Sequence, residues 1–313
     1  MDKLFHYNIV FFGGKGGVGK STSASAFALA AADQGIHTLL VSTDPAHNVG
    51  DIFNKTIGDH RTKLTTHLWG IEISSEKESK RYIDDVKYNI KDLVKSHMAD
   101  EVNRQIDMAA VSPGAEEAAL FDRLVRIILK EKHDFDLIVF DTAPTGHTVR
   151  LLSLPELMEA WIEGMLQRRA SINENYSQWL HDGDPVDDPI YRILMERKDR
   201  FSEARKVLMD EKKTAYVYVL LPEKLPIAET ERAIEILEKT QLQVNTLLVN
   251  KCMPDDAMES SFFQKRRRQE EAYLQDINKR FPKQKKVYLP LLEEDISSLD
   301  SLETVKQVML KSM

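Results

Sequence analysis

Apolar residues fall into two kinds of run along this chain, and their alternation sets the expected fold. Ile9–Phe12, Thr38–Val41, Leu137–Phe140, Ala215–Leu221, Val244–Val249 and Val287–Leu289 are short and almost continuously apolar. Such runs predict parallel strands covered on both faces. Leu68–Ile73 is less apolar and predicts a strand at a sheet edge. Between these runs the period changes to that of helices. Thr22–Gln34 is rich in alanine, which suits close packing on a sheet, and Gly35 supplies a C-terminal stop. Thr230–Thr240 reads as a crossover helix, Phe262–Lys279 as a very basic helix and Leu302–Met309 as a closing one.

Two stretches exceed what crossovers need. Glu76–Lys132 is charged and mostly helical, with Tyr82, Val86, Ile90 and Leu93/Val94 at helical spacing. Met98, Val102, Ile106 and Met108 suggest a second helix, and Leu120, Leu124, Ile127 and Ile128 line one face of a third after a break at Ser112-Pro113-Gly114. Leu151–Glu211 is helical again, broken between His181 and Pro189. The expectation is an α/β fold, a doubly wound, mostly parallel sheet, in one domain over residues 1–313. An α-helical subdomain is inserted from about 76–132 and 151–211.

The first strand runs into the strongest chemical signal. Asn8–Thr22 reads NIVFFGGKGGVGKST and contains G-x-x-x-x-G-K-[ST] at Gly14, Gly19, Lys20 and Ser21. With a strand before and a helix after, this is the context of a phosphate-binding P-loop NTPase. Glycines let backbone N–H groups approach a phosphate, and the helix N-terminus aims its partial positive charge at the same anion. Gly14, Lys15, Gly16, Gly17, Val18, Gly19, Lys20, Ser21 and Thr22 are therefore the candidate nucleotide-binding residues. Lys20 would add charge near the terminal phosphates, and the Ser21 hydroxyl would serve Mg²⁺. Lys15 is a second lysine that an ordinary loop of this kind does not need. It could neutralise charge on a neighbouring nucleotide or simply face solvent.

Ligands in such sheets sit beyond the carboxyl ends of the strands. Asp44, Asp141 and Asn250 each end a predicted strand. Any one could be an ordinary strand stop; three beside a P-loop are more specific. Asp141 is the candidate to hold Mg²⁺, directly or through water, and Asp44 to orient or deprotonate the attacking water. His47 could do so too, though it better fits a supporting role in its loop. Asp44, Pro45 and His47 form one candidate switch loop, and Asp141, Thr142 and Gly146 another. Asn250 offers a donor and an acceptor to a purine edge.

Composition then narrows the chemistry. Net charge is −7, which gives no support to nucleic acid as a partner. Cys252 is the single cysteine, so one chain cannot hold a disulfide, a multi-cysteine zinc site or an iron–sulfur cluster. A reducing cytoplasm fits. The N-terminus lacks a signal-peptide pattern, and no apolar run is long enough to span a membrane.

KGGVGKST, STDPAHNVGD and DTAPTGHTVRLL together resemble the ATPase family that includes the arsenical pump-driving ATPase and the tail-anchored membrane protein targeting factor. The resemblance covers nearly the whole chain and implies an ATP-hydrolysing, Mg²⁺-dependent homodimer with two switch loops. It implies that Lys15 reaches across to the partner's nucleotide, joining Asp44 and Lys20 in catalysis. Glu223, in LPEKLPIAET, and Asn250 resemble the family's nucleoside contacts, and Pro113–Ala118 a segment near the switches. The leading expectation is a cytoplasmic switch that binds and releases a client protein, such as a membrane-protein segment, with a membrane receptor or a pump subunit as a further partner. An ATPase subunit of an arsenite or anion efflux pump is the second reading, and a weakly hydrolysing regulatory protein the third.

Departures from the family bear on that choice. Targeting factors commonly clamp zinc with Cys-x-x-Cys between subunits; the corresponding basic helix here carries Lys265, Arg266, Arg267 and Arg268 and no such pair. Arsenical pump ATPases bind metalloid through several cysteines, and Cys252 alone remains. Met98, Met108, Met158 and Met165 could line an adaptable apolar groove or pack a core.

Overall fold

The computed structural model describes residues 2–44, 48–91, 104, 107, 115–142, 163–164, 166–167, 189–254, 261–296 and 298–311. These divide into two compact units. The first comprises Met1–Ser74, Lys130–Val149 and Leu208–Met313, the second Ser75–Leu129 and Arg150–Val207.

The first unit is built on an eight-stranded sheet. Its strands are β1 (Ile9–Gly14), β2 (Thr38–Ser42), β3 (Thr62–Lys63), β4 (Leu68–Glu72), β5 (Leu137–Asp141), β6 (Thr214–Leu220), β7 (Val244–Cys252) and β8 (Lys285–Pro290). The order is β3-β4-β2-β5-β1-β6-β7-β8. Every pairing is parallel except that of β3 with β4. Burial follows position. Every residue of β1, β2, β5 and β6 is buried, whereas β8 at one edge exposes part of its length. Leu68–Ile73 is not the edge its weaker apolarity suggested. Thr62 and Lys63 pair antiparallel beside Gly70 and Trp69, so a two-residue strand too short to show a sequence period closes that side.

Helices of this unit are α1 (Lys20–Asp33), α2 (Asn48–Phe53), α6 (Lys224–Lys239), α7 (Ser261–Arg280) and α8 (Leu299–Lys311). The alanines of α1 do what their size suggests: Ala24, Ala26, Ala28 and Ala31 are fully buried in the core that α1 shares with its neighbours, with Phe27 stacked on Phe5 at 5.0 Å. α8 packs along α1 and buries Leu302, Val305 and Met309 in the same core. Lys306 is buried there too, its ammonium held by Asp33 and Glu303. On the other face Phe11 stacks on Phe140 at 4.6 Å and on Tyr216 at 5.2 Å. These three are register partners on adjacent strands, so the aromatic ladder reports the alignment of β5, β1 and β6 directly.

The second unit contains α3 (Ser75–Lys91), α4 (Ala115–Glu131) and most of α5 (Pro189–Met209), which starts on proline, a residue suited to a first turn. Leu120, Leu124, Ile127 and Ile128 are buried as their spacing predicted, and Phe121 packs on Phe201 at 5.2 Å. A charged network lies beside them. Asp122 is buried and receives Arg126 at 2.7 Å; Arg126 also reaches Asp85 at 3.1 Å. Met98, Met108, Met158 and Met165 lie outside the described residues, as do Pro113 and Gly114.

Gly14, the last residue of β1, has φ +150°, and a Cβ there would sit 2.3 Å from the Val219 carbonyl oxygen of β6. That contact is with backbone, which has nowhere to rotate. Gly14→Ala should destabilise the protein by about 2–4 kcal/mol and lower its melting temperature by several degrees. Calorimetry on the two proteins checks this, and an unchanged melting point would mean that β1 and β6 part without cost.

Candidate functional site

The register of three central strands assembles the site. Asp141 at the end of β5 pairs with Phe12 of β1 on one side and Ser42 of β2 on the other. β1 then passes into the glycine loop, and two residues beyond Ser42 stands Asp44. The loop, Asp44 and Asp141 therefore share one end of the sheet. Hydrogen bonds tie the strand ends together. Thr43 donates its backbone N–H to the Asp141 carbonyl at 2.9 Å, the Ser42 hydroxyl donates to Asp141 Oδ2 at 3.2 Å, and the Asp44 backbone N–H donates to Ser42 Oγ at 3.3 Å. On the other flank the Thr142 hydroxyl donates to the Phe12 carbonyl at 2.7 Å.

α1 begins where the loop ends. Its N-cap is Gly19 in the left-handed region at φ 92°, with no side chain capping the helix and no acidic residue in the first turn. The first-turn N–H groups are thus directed at the loop, the arrangement that suits an anion. A Cβ on Gly19 would meet Asn250 Nδ2 at 2.3 Å. Asn250 uses that amide to donate to the Val18 carbonyl at 2.9 Å, so the end of β7 is tied to the loop.

The charges here are buried. Lys20 is almost inaccessible, and its ammonium donates to the Lys15 carbonyl at 3.0 Å. Desolvation holds its pKa below the usual lysine value, while Asp141 and Asp44 pull it back up. Burial pushes the Asp141 carboxyl from 3.8 up to about 6; the Ser21 hydroxyl, Lys20 and Ser42 oppose the rise, and Asp44 adds to it. Asp141 Oδ1 nevertheless has no partner at hydrogen-bond geometry. A buried carboxylate oxygen left open beside a serine hydroxyl and a phosphate-binding loop fits a hydrated Mg²⁺, which takes few protein ligands and completes its shell with water and phosphate. No cluster of three or more His, Cys, Asp or Glu among the described residues could hold a metal by itself.

Two cavities open nearby. One of about 330 Å³ is lined by Gly19, Thr22, Asn250, Leu291, Asp295 and Val308 among others. A second, of about 430 Å³, is lined by Glu223, Leu225, Met253, Arg266 and Tyr273, and shares Lys251 and Leu291 with the first. Asn250 and Glu223 therefore stand in adjacent cavities. Glu223 is the N-cap of α6, without a side-chain capping bond. Cys252, close to both, is part-buried; burial and Glu270 push its thiol up to about 12, against the pull of Arg267.

Several contributors were not singled out from sequence. The segment after β8, Leu291–Ile296, lines the first cavity; it follows a strand end, so the rule that located Asn250 would also have located it. Glu72 is buried and accepts the Gly50 N–H at 2.8 Å, anchoring α2 after Asp44. Lys15 is paired with Glu229 of α6 at 2.9 Å, a contact that no spacing announces. Pro45, His47 and Gly146 lie outside the described residues.

A mostly parallel sheet with a glycine loop leaving one central strand and a buried aspartate ending its neighbour defines a P-loop NTPase. The sequence profile of the anion-transporting ATPase family matches residues 7–311, so the chain belongs to that family and is an ATPase. It is similar to a putative arsenical pump-driving ATPase 2 of Aquifex aeolicus, 33% identical over 94% of this chain and 96% of that protein. It is similar to ATPase ASNA1 homolog 1 of Paramecium tetraurelia, 32% identical over 96% and 92%. Against a putative arsenical pump-driving ATPase of Halobacterium salinarum it is 33% identical over 96% of this chain but 43% of that protein.

The raised pKa of Asp141 has a testable sign. The folded state keeps this proton to higher pH than the unfolded state, so the contribution to stability is fully present below pH 3.8 and is lost as pH rises to about 6. The loss is about 3 kcal/mol. Denaturant melts of the nucleotide-free protein between pH 3 and 8, compared with Asp141→Asn, should show that the wild type loses about this much more. Parallel pH profiles of the two proteins would remove the argument.

Proposed function

We propose that this chain is a Mg²⁺-dependent, ATP-driven switch that works as a homodimer and binds and releases a client protein. One observation carries the core of this reading: Asp141 Oδ1 is buried and open beside Lys20 and Ser21, at the strand end next to Asp44. In this reading backbone N–H groups from Gly14 to Thr22 cradle the phosphates and Lys20 leaves the Lys15 carbonyl for them. Ser21 and Asp141, the latter directly or through water, would hold Mg²⁺, which would neutralise phosphate charge. Asp44 orients the attacking water and accepts its proton. The 330 Å³ cavity behind Gly19 takes the nucleoside, with Asn250 at its wall and Glu223 next door.

Two copies are invoked for a reason of length and one of charge. The Halobacterium salinarum relative is more than twice the span this chain covers, which leaves room for a second such unit. Lys15 stands on the loop with its side chain 45% exposed, a charge that a facing subunit could meet. A client-handling role is favoured over metalloid export because Cys252 is the single cysteine and its thiol is held protonated, whereas soft ions want several thiolates at once. A cytoplasmic setting fits that thiol. No helix among the described residues is long and apolar enough to cross a membrane, so a membrane segment enters this reading as client or partner.

Asp44→Asn should keep ATP binding and lower turnover by about 10²-fold or more. A mixed dimer of one Lys15→Ala subunit and one Asp44→Asn subunit then locates Lys15. If it acts across the interface, the Lys15→Ala subunit retains one intact site and the dimer shows half the wild-type rate; an inactive mixed dimer returns Lys15 to its own subunit. ATP-trapped Asp44→Asn protein should also hold a synthetic apolar membrane-spanning helix in solution, and aggregation of that peptide regardless of nucleotide would dismiss the client.

Arsenite should leave the ATPase rate unchanged in wild type and in Cys252→Ser, and a zinc-selective chelator that spares Mg²⁺ should not dissolve the nucleotide-dependent dimer. Stimulation by arsenite that disappears in Cys252→Ser would establish the metalloid pump instead.

A further inference from the structure

The two lysines of the loop are tied in different directions. Lys20 donates to the backbone carbonyl of Lys15, whereas the Lys15 ammonium leaves the loop and pairs with Glu229 Oε1 on α6 at 2.9 Å. Glu229 sits on a well-anchored helix. Ile227 and Thr230 on either side are buried, and the Thr230 hydroxyl donates to the Pro226 carbonyl at 2.7 Å. The carboxylate is thus presented by the fold. Both partners remain partly exposed, at 45% and 39%.

We infer that Glu229 is a positioning residue that parks Lys15 within its own subunit, so that closing two subunits around nucleotide requires this ion pair to open. The inference rests on the cross-subunit role proposed for Lys15. A phosphate chain carries more charge than one carboxylate and competes for the ammonium when it comes within reach. An exposed pair suits a reversible hold, since water and salt keep it weak. Before a facing subunit arrives, Glu229 neutralises Lys15 and holds it on its own subunit. Nucleotide in the same subunit takes Lys20 from the Lys15 carbonyl, and nucleotide in the facing subunit takes the Lys15 ammonium from Glu229, so the second tie opens only when two loaded subunits meet. Nothing in the geometry asks Glu229 to touch the reacting atoms.

Opening one exposed pair costs roughly a 1.4- to five-fold factor, and a symmetric dimer opens two, so the dimer dissociation constant carries about a two- to thirty-fold penalty. Sedimentation with Mg²⁺ and a non-hydrolysable ATP analogue reads it. Glu229→Gln, and Glu229→Ala as a second variant, should tighten the dimer by that factor at low salt. The gain should shrink in 0.5 M salt and vanish when Lys15 is also replaced by alanine. Nucleotide affinity of the dilute monomer should not change. A dimer unchanged or weakened in both variants at low salt overturns the inference, as does tightening that persists in Lys15→Ala. Weakening that requires Lys15 would make Glu229 a support for the lysine, the opposite of a parking site. The mixed-dimer assay reads where Lys15 acts and sedimentation reads what holds it, so failure of the one is distinguishable from failure of the other.

Discussion

A carboxylate in a place where water cannot reach it sets the terms for the rest of the molecule. Asp141 is fully buried at the end of β5, and the parallel register on each side decides its neighbours. Had β1 paired one residue out of step, side chains would have exchanged faces and the loop would have left the sheet at another level. The Phe140–Phe11–Tyr216 stack locks that register with large apolar area, and the Ser42, Thr43 and Thr142 hydrogen bonds secure the strand ends. The apolar core thus bears the cost of holding an acid where its ionised form is disfavoured.

Polar groups of the glycine loop and of β7 are held in provisional partnerships. Lys20 rests on a carbonyl, Lys15 on an exposed carboxylate and Asn250 on the loop backbone. None of these is strong in water. The second unit handles charge differently. Asp122 and Glu78 are buried among arginines, Asp122 with Arg126 and Glu78 with Arg81 at 2.9 Å. Removing one member there would strand its partner, so that network specifies how those helices pack, whereas the exposed pair at the loop is free to open.

Strand ends recur as the place where chemistry collects because the interior of a parallel sheet has no spare polar groups. Its backbone is consumed by the ladder and its side chains by the two helical layers. The last residues of β5 and β7 and the first past β1, β2 and β8 are where a ligand can be met, and Asp141, Asn250, the loop, Asp44 and the Leu291–Ile296 segment all lie there. Glu223, after β6, obeys the same rule but opens onto the neighbouring cavity.

Local signals carried much of this in the sequence itself. Continuous apolar runs gave six of the strands and a weaker run gave β4, the glycine spacing gave the phosphate loop, and acidic or amide residues closing those runs gave Asp44, Asp141 and Asn250 as candidates. Such features have a fixed period or spacing, so they survive without knowledge of neighbours. Helix starts were less legible: α6 begins at Lys224, ahead of the Thr230 expected, because Pro226 sits in a first turn where its missing N–H costs nothing. Strand order, the two-residue cover on β4, the hold of Glu72 on Gly50, the separation of Glu223 from Asn250 and the pairing of Lys15 with Glu229 were decided only in three dimensions. Each joins residues distant in the chain, and nothing in periodicity or spacing encodes which distant surfaces will meet when the helices pack on the sheet.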